Sequence, residues 1–268
     1  MESKNIAIIG VIVIILVIAG AYASGIFSNT NSADGKTIKV LAGAGTIKAM
    51  NELKANFEKE NPGVEVEIRY GGSADLFGIL ETQKDADIFI PGDTKYTQEG
   101  QKKGYLINDT IKDVTKHIPT IAVQAGNPKN IQGIEDLANP GVRVVLGDPK
   151  GPAIGKTSEQ ILGTDNLLAQ VKPNVVGYTT TVNQLLTYLV TDQADATIIW
   201  QDMLSWSEGK GKIEEIKIPA DQNKIKTIPI AVTVYTKDKD LSMKFEDYVL
   251  SDEGLAIWKK WGFEPVTQ

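Results

Sequence analysis

Apolar positions along the chain keep two spacings that follow one another. Val64-Glu65-Val66-Glu67-Ile68-Arg69-Tyr70 alternates apolar and charged residues, the period of a strand with one buried face. Leu76, Phe77, Ile79 and Leu80 then take helical spacing. Between the two patterns lies Gly71-Gly72-Ser73-Ala74-Asp75. Its glycines permit a tight turn, and Ser73 stands where a helix begins, with a hydroxyl and free backbone N–H groups around it. By itself this reads equally as an ordinary helix cap or as an anion site at a helix N-terminus.

The same succession recurs. Ile38-Lys39-Val40-Leu41 predicts a strand, Ala42-Gly43-Ala44-Gly45-Thr46 a glycine turn, and Met50, Leu53 and Phe57 a helix stopped by Asn61-Pro62-Gly63. Ile88-Phe89-Ile90 is wholly apolar, as in a strand covered on both faces, and a helical run around Tyr96–Lys103 follows. A second block predicts strands at Ile118–Gln124, Val142–Leu146, Val175–Tyr178 and Ala196–Trp200. Its helices run through Ile134–Leu137, up to Leu162, and along the stripe Val182, Leu185, Leu186, Leu189 and Val190, which reads as plain core packing. Ile228–Val234 is a last strand, and helices carrying Phe245, Val249, Leu250, Leu255 and Trp258 end at Gly262.

Strands alternating with helices predict an α/β protein with largely parallel sheets, each flanked by helices. The two blocks read as two lobes joined by two crossings, with a cleft between them. The expected division is residues 37–117 plus 229–268 for lobe I and 118–228 for lobe II. Ahead of them, residues 1–27 are expected to be a signal peptide or membrane anchor and 28–36 a polar tether. Ile6 to Phe27 carries no charge, and a span takes roughly 20 apolar residues. Ala21-Tyr22-Ala23 has the form of a cleavage site. The bulk of the chain is therefore expected outside the cytoplasm. Asn108-Asp109-Thr110 fits a glycosylation triplet, a pattern common by chance.

Composition narrows the chemistry. The 268 residues contain no cysteine, which excludes disulfides, thiolate metal sites, a cysteine nucleophile and a lipidated cysteine anchor. The single histidine, His117, argues against a histidine-rich metal site or a Ser-His-Asp triad; at the expected crossing it reads as structural. A formal net charge of −6 without a basic patch argues against a nucleic-acid partner. Gly151–Thr157 contains Gly-Lys-Thr but has three residues between its glycines, where a phosphate-binding loop has four. No nucleophile-and-base pair is evident, so an enzyme is the less favoured reading.

Four strand-to-helix turns stand out: Ala44-Gly45-Thr46, Gly72-Ser73-Ala74, Pro152-Ala153-Ile154 and Thr180-Thr181-Val182. Each offers backbone N–H groups and the positive end of a helix dipole. If the lobes close face to face, the four converge on a volume suited to a compact anion.

Taken together, several stretches resemble the molybdate- and tungstate-binding proteins of ABC importers, within the two-lobed type II periplasmic binding proteins. They are Ile38–Met50, Phe57-Glu58-Lys59-Glu60 with Pro62-Gly63-Val64, Tyr70-Gly71-Gly72-Ser73 and Asp87-Ile88-Phe89-Ile90. Gly147-Asp148-Pro149-Lys150, Ala194-Asp195-Ala196 through Trp200, and Trp261-Gly262-Phe263 complete the set, so that the likeness spans Ile38 to Phe263. The resemblance implies an importer's receptor, monomeric and without a cofactor, which hands a small oxoanion to a membrane permease. It implies ligand contacts at Gly45, Thr46, Gly72, Ser73, Ala153, Val182 and Trp200. Gly45 stands where the family has a serine and Trp200 where it has a tyrosine; Thr46 is a substitute hydroxyl, and the indole N–H a donor without an acceptor. Archaeal members add carboxylates to the metal centre, for which Asp93 and Asp202 are the candidates, with loop or helix-cap roles as the competing reading. Another small oxoanion, or a metal cation held by these carboxylates, is the alternative ligand. The adjacent tyrosines of ferric-ion receptors are missing.

Overall fold

The computed structural model describes residues 36–163 and 166–266. The apolar stretch expected to export or anchor the chain lies outside them, as does the tether except for Lys36, which opens the first strand. Among the described residues no helix is long and apolar enough to cross a membrane.

Two sheets carry the fold. The six-stranded sheet has the order β11-β4-β10-β3-β1-β2. It is built from β1 (Lys36–Gly43), β2 (Val64–Gly71), β3 (Ile88–Ile90), β4 (Lys112–His117), β10 (Lys226–Val232) and β11 (Glu264–Pro265). The five-stranded sheet has the order β7-β6-β8-β5-β9, from β5 (Pro119–Gln124), β6 (Val144–Gly147), β7 (Val175–Thr179), β8 (Ala196–Trp200) and β9 (Ile213–Ile216). Within each, the strands that alternate with helices run parallel, as β1 with β3 and β6 with both β7 and β8. The strands next to the crossings do not: β10 is antiparallel to β3 and β4, and β5 to β8 and β9. A chain that passes straight from one sheet into the other needs no covering helix, and antiparallel entry is then open to it.

Side-chain alternation explains why the first sheet is covered twice. Ile38, Val40 and Ala42 of β1 pack with Met50, Leu53 and Phe57 of the helix Ile47–Glu60 and with Phe245 and Trp258 of the C-terminal helices. Leu41 faces the other way, with Phe89, Leu76, Phe77 and Leu80. Phe57 meets Phe245 edge-on, ring centroids 4.9 Å apart; burying one such ring stabilises by about 1.5–3 kcal/mol. In the second sheet, Val144, Leu146, Ile198 and Trp200 share a core with Leu185, Leu186 and Leu189 of the helix Val182–Val190.

The crossings lie side by side. β4 ends at His117 and β5 begins at Pro119, while the return leads from β9 into β10, where Lys226 is the register partner of His117. Asn223 of the return donates from Nδ2 to the Pro119 carbonyl at 2.9 Å. This pairing holds the carboxyl ends of both sheets toward one cavity.

Candidate functional site

Four chain segments leave strand ends and turn into helices around that cavity. β1 runs into the 3-10 turn Ala44–Thr46 and the helix Ile47–Glu60; β2 reaches the helix Ser73–Gln83 through Gly72. From the other sheet, β6 leads to the helix Ala153–Leu162 and β7 to the helix Val182–Val190. Gly45, Thr46, Gly72, Ser73, Ala153 and Val182 all line the cavity, and Trp200, at the end of β8, completes that set. Placement at the cavity wall is thus common to the seven residues expected to touch a ligand. Gly43, Ala44, Gly71, Gly92, His117, Pro152 and Thr181 line it as well.

The volume open to the centre of a water molecule is about 20 Å³, where a single water needs about 10–15 Å³. A compact ion fits such a space, and a sugar, nucleotide or peptide does not. The lobes meet closely: a Cβ on Gly72 would stand 3.2 Å from the Gly151 carbonyl carbon across the cleft, so glycine permits the approach. At the rim Lys48 Nζ lies 2.5 Å from Glu208 Oε1 and over the Trp206 ring, linking the first lobe to the second.

The donors are arranged by their own hydrogen bonds. Gly92 N–H donates to Ser73 Oγ at 3.0 Å. That bond occupies an acceptor site of the hydroxyl and leaves its proton to give. Thr46 differs, because its hydroxyl proton goes to the Gly43 carbonyl at 2.8 Å. Gln184 Oε1 accepts from Thr180 N at 2.9 Å and from Thr181 N at 3.3 Å, which fixes the turn ahead of Val182. The first N–H groups of each helix have no acceptor within the helix. Together with the helix dipoles they favour negative charge in the cavity. Among the described residues no lysine, arginine, aspartate or glutamate lines it. The overall negative charge of the chain does not oppose this, since local dipoles set the potential at the site.

The two candidate carboxylates stand elsewhere. Asp93 caps the helix Thr94–Lys102, Oδ1 accepting from Lys95 N at 2.8 Å, with Oδ2 3.5 Å from Lys226 Nζ. Asp202 is buried off the cavity wall, its Oδ1 3.7 Å from His117 Nε2. Burial holds its carboxyl well above the usual carboxylate range, whereas a metal ligand must be ionised. Neither lines the cavity, and among the described residues no group of three or more His, Cys, Asp or Glu forms a cation site. In the Gly-Lys-Thr stretch, Lys156 pairs with Glu159 at the surface and Thr157 donates to the Ala153 carbonyl, leaving no phosphate cradle.

The site residue that sequence reasoning passed over is His117. It is 2% exposed, accompanies Trp200 at the wall, and its Nδ1–H donates to the Gly92 carbonyl at 3.0 Å. Burial pushes its pKa down to about 3. One signal could have found it: it is the chain's single histidine and stands at the expected crossing between the lobes.

Two sheets with antiparallel crossing strands and a cleft at their carboxyl ends make the two-lobed fold of the type II periplasmic binding proteins. The sequence profile of the bacterial extracellular solute-binding proteins matches residues 38–264, and the chain belongs to that family. It is 29% identical to the molybdate-binding protein ModA of Mycobacterium tuberculosis over 254 residues, 92% of this chain and 94% of that one. Its fold matches the sulfate-binding protein SubI of Mycobacterium tuberculosis with a TM-score of 0.78, at 21% identity over 86% of this chain and 87% of SubI. The periplasmic molybdate-binding protein of Azotobacter vinelandii matches with a TM-score of 0.74, at 18% identity over 86% of this chain and 100% of that one.

Proposed function

We propose that the protein is an extracytoplasmic receptor for a tetrahedral oxoanion, molybdate or tungstate, which it delivers to the membrane permease of an ABC importer. The observation that carries the reading is the convergence of four helix starts and the Ser73 hydroxyl on a cavity with no lysine, arginine, aspartate or glutamate among the described residues of its wall. A buried anion must recover the hydrogen bonds it loses from water, and donors from both lobes do this only when the cleft is closed. Ligand binding and closure are then one event, and no bond in the ligand is made or broken. In this reading the ligand contacts are Gly45, Thr46, Gly72, Ser73, Ala153, Val182 and Trp200. The resemblance to molybdate receptors along nearly the whole chain favours molybdate and tungstate over sulfate.

Thermal unfolding of the purified protein with molybdate, tungstate, sulfate, phosphate and ferric ion tests the proposal. At a hundredfold excess over Kd a ligand adds about 2.7 kcal/mol, which raises Tm by roughly 5–10 °C in a domain of this size. Molybdate and tungstate are expected to do so. A shift with sulfate, phosphate or ferric ion alone would refute the assignment.

A further inference from the structure

We propose that His117 is itself a ligand of the captured anion, and that its Nε2 takes up one proton as the anion enters. The inference rests on the oxoanion reading of the cleft. Three observations carry it. His117 is the one described side chain of the cavity wall that can gain a positive charge, because no lysine or arginine lines it. Its ring is fixed: Nδ1–H donates to Gly92 O at 3.0 Å, and Nε2 is buried with no hydrogen-bond partner among the described residues. Nε2 also faces the ligand volume, lying 3.7 Å from where a Cβ on Gly45 would stand, beside Trp200 Cδ1 and Val182 Cγ2.

A neutral imidazole with its hydrogen on Nδ1 presents a lone pair at Nε2. The N–H groups at the helix starts and the Ser73 hydroxyl can donate to an anion, whereas that lone pair would repel an anion oxygen. A proton between them converts the repulsion into a charge-assisted hydrogen bond. The proton is absent beforehand, since burial keeps the ring neutral well below pH 7. Other charges nearby do not alter this. Asp202 Oδ1 lies 3.7 Å from Nε2, and burial pushes its carboxyl well above the usual carboxylate range. Lys226, on the strand beside His117, is paired with Asp93, and Lys116 with Glu264. The incoming anion brings a counter-charge into the cavity itself. Gly92 aligns the parts, its N–H donating to Ser73 Oγ and its carbonyl accepting from His117.

Titration calorimetry of tungstate into the full chain at pH 7.5, in buffers of different ionisation enthalpy, counts the protons taken up. The expected count is close to one, and Kd should weaken about tenfold per pH unit above neutrality. His117→Asn keeps a donor near the Gly92 carbonyl but has nothing at the Nε2 position. It should abolish the proton uptake and weaken tungstate binding at least tenfold. Tight binding by the unaltered protein with no proton uptake overturns this inference alone, as does an Asn variant with unchanged Kd and proton count. Failure of the unaltered protein to bind tungstate, molybdate or sulfate overturns the oxoanion reading, and this inference with it.

Discussion

His117 and Trp200 stack face to face, ring centroids 3.4 Å apart and planes 17° from parallel. The pair joins the end of β4 in one sheet to the end of β8 in the other, so it spans the two lobes at the back of the cleft. An indole so close to the ligand volume should report binding. Tungstate is expected to change the intrinsic fluorescence, and Trp200→Phe should remove that change while Trp206, Trp258 and Trp261 continue to emit. Trp200 is 1% exposed within the second core. Trp200→Ala should therefore also cost about 3–5 kcal/mol in denaturant unfolding. A fluorescence response that survives in Trp200→Phe would place the ligand away from this stack.

Ser73 and Thr46 both present hydroxyls at the wall, yet their bonding differs. Ser73 Oγ receives a backbone N–H and keeps its proton to give; Thr46 Oγ1 has given its proton to Gly43 O. A hydrogen bond to a charged group contributes about 1.5–3 kcal/mol. Ser73→Ala should thus raise Kd for molybdate roughly 10- to 150-fold, and Thr46→Ala less than tenfold. Calorimetric titration of both variants decides between them; equal losses would refute the distinction.

The contrast shows what could be read ahead of the structure. The strand–turn–helix succession was legible at β1, β2, β6 and β7 because β1 and β6 are largely apolar, β2 alternates apolar and charged residues, and the turns that follow are marked by glycine, serine, threonine or proline. Placement of Gly45, Ser73, Ala153 and Val182 at one wall follows from that succession and from strand direction alone. β4 was not legible: its inward residues include Thr115 and His117, both buried and polar, so the alternation that reveals a strand is muted. β9, the edge strand Ile213–Ile216, is too short for its period to show. Asp93 and Asp202 looked alike in sequence, each just past a strand end, and only the fold separates a helix cap from a buried neighbour of His117. Hydrogen-bond direction at Thr46 was equally beyond sequence, since one rotamer decides whether its proton faces the cavity or Gly43.

Gly45 tests whether the ligand occupies this volume. A Cβ there would stand 3.7 Å from His117 Nε2, Trp200 Cδ1 and Val182 Cγ2, at ordinary van der Waals distance from each. The fold can therefore accept alanine, but the methyl group takes space from a cavity with room for little more than one water. Gly45→Ala is expected to keep Tm within a few degrees of the parent and to weaken molybdate binding at least tenfold. Undiminished binding in a stable Gly45→Ala protein would move the ligand elsewhere.

Glu246 gives the protein a pH-dependent stability distinct from ligand binding. It lies on the helix Lys239–Leu250 with its side chain fully buried, Oε2 3.1 Å from Lys112 Nζ. Burial pushes its pKa up to about 7 against the opposing pull of Lys112. The folded chain then holds the Glu246 proton more tightly than the unfolded chain, whose glutamate titrates near 4.3. The sign follows from linkage: between those values the folded state binds more protons, so the contribution is complete below about pH 4 and is lost as pH rises through about 7. Glu246→Gln keeps the shape and removes the titration. Its stability relative to the parent should rise across that window by up to about 4 kcal/mol and be flat above pH 8. Urea unfolding of both proteins between pH 4 and 9 measures the difference curve, in which the carboxylates common to both chains cancel. A flat difference across the window would show that Glu246 is ionised throughout in the folded state, with Lys112 compensating its burial in full.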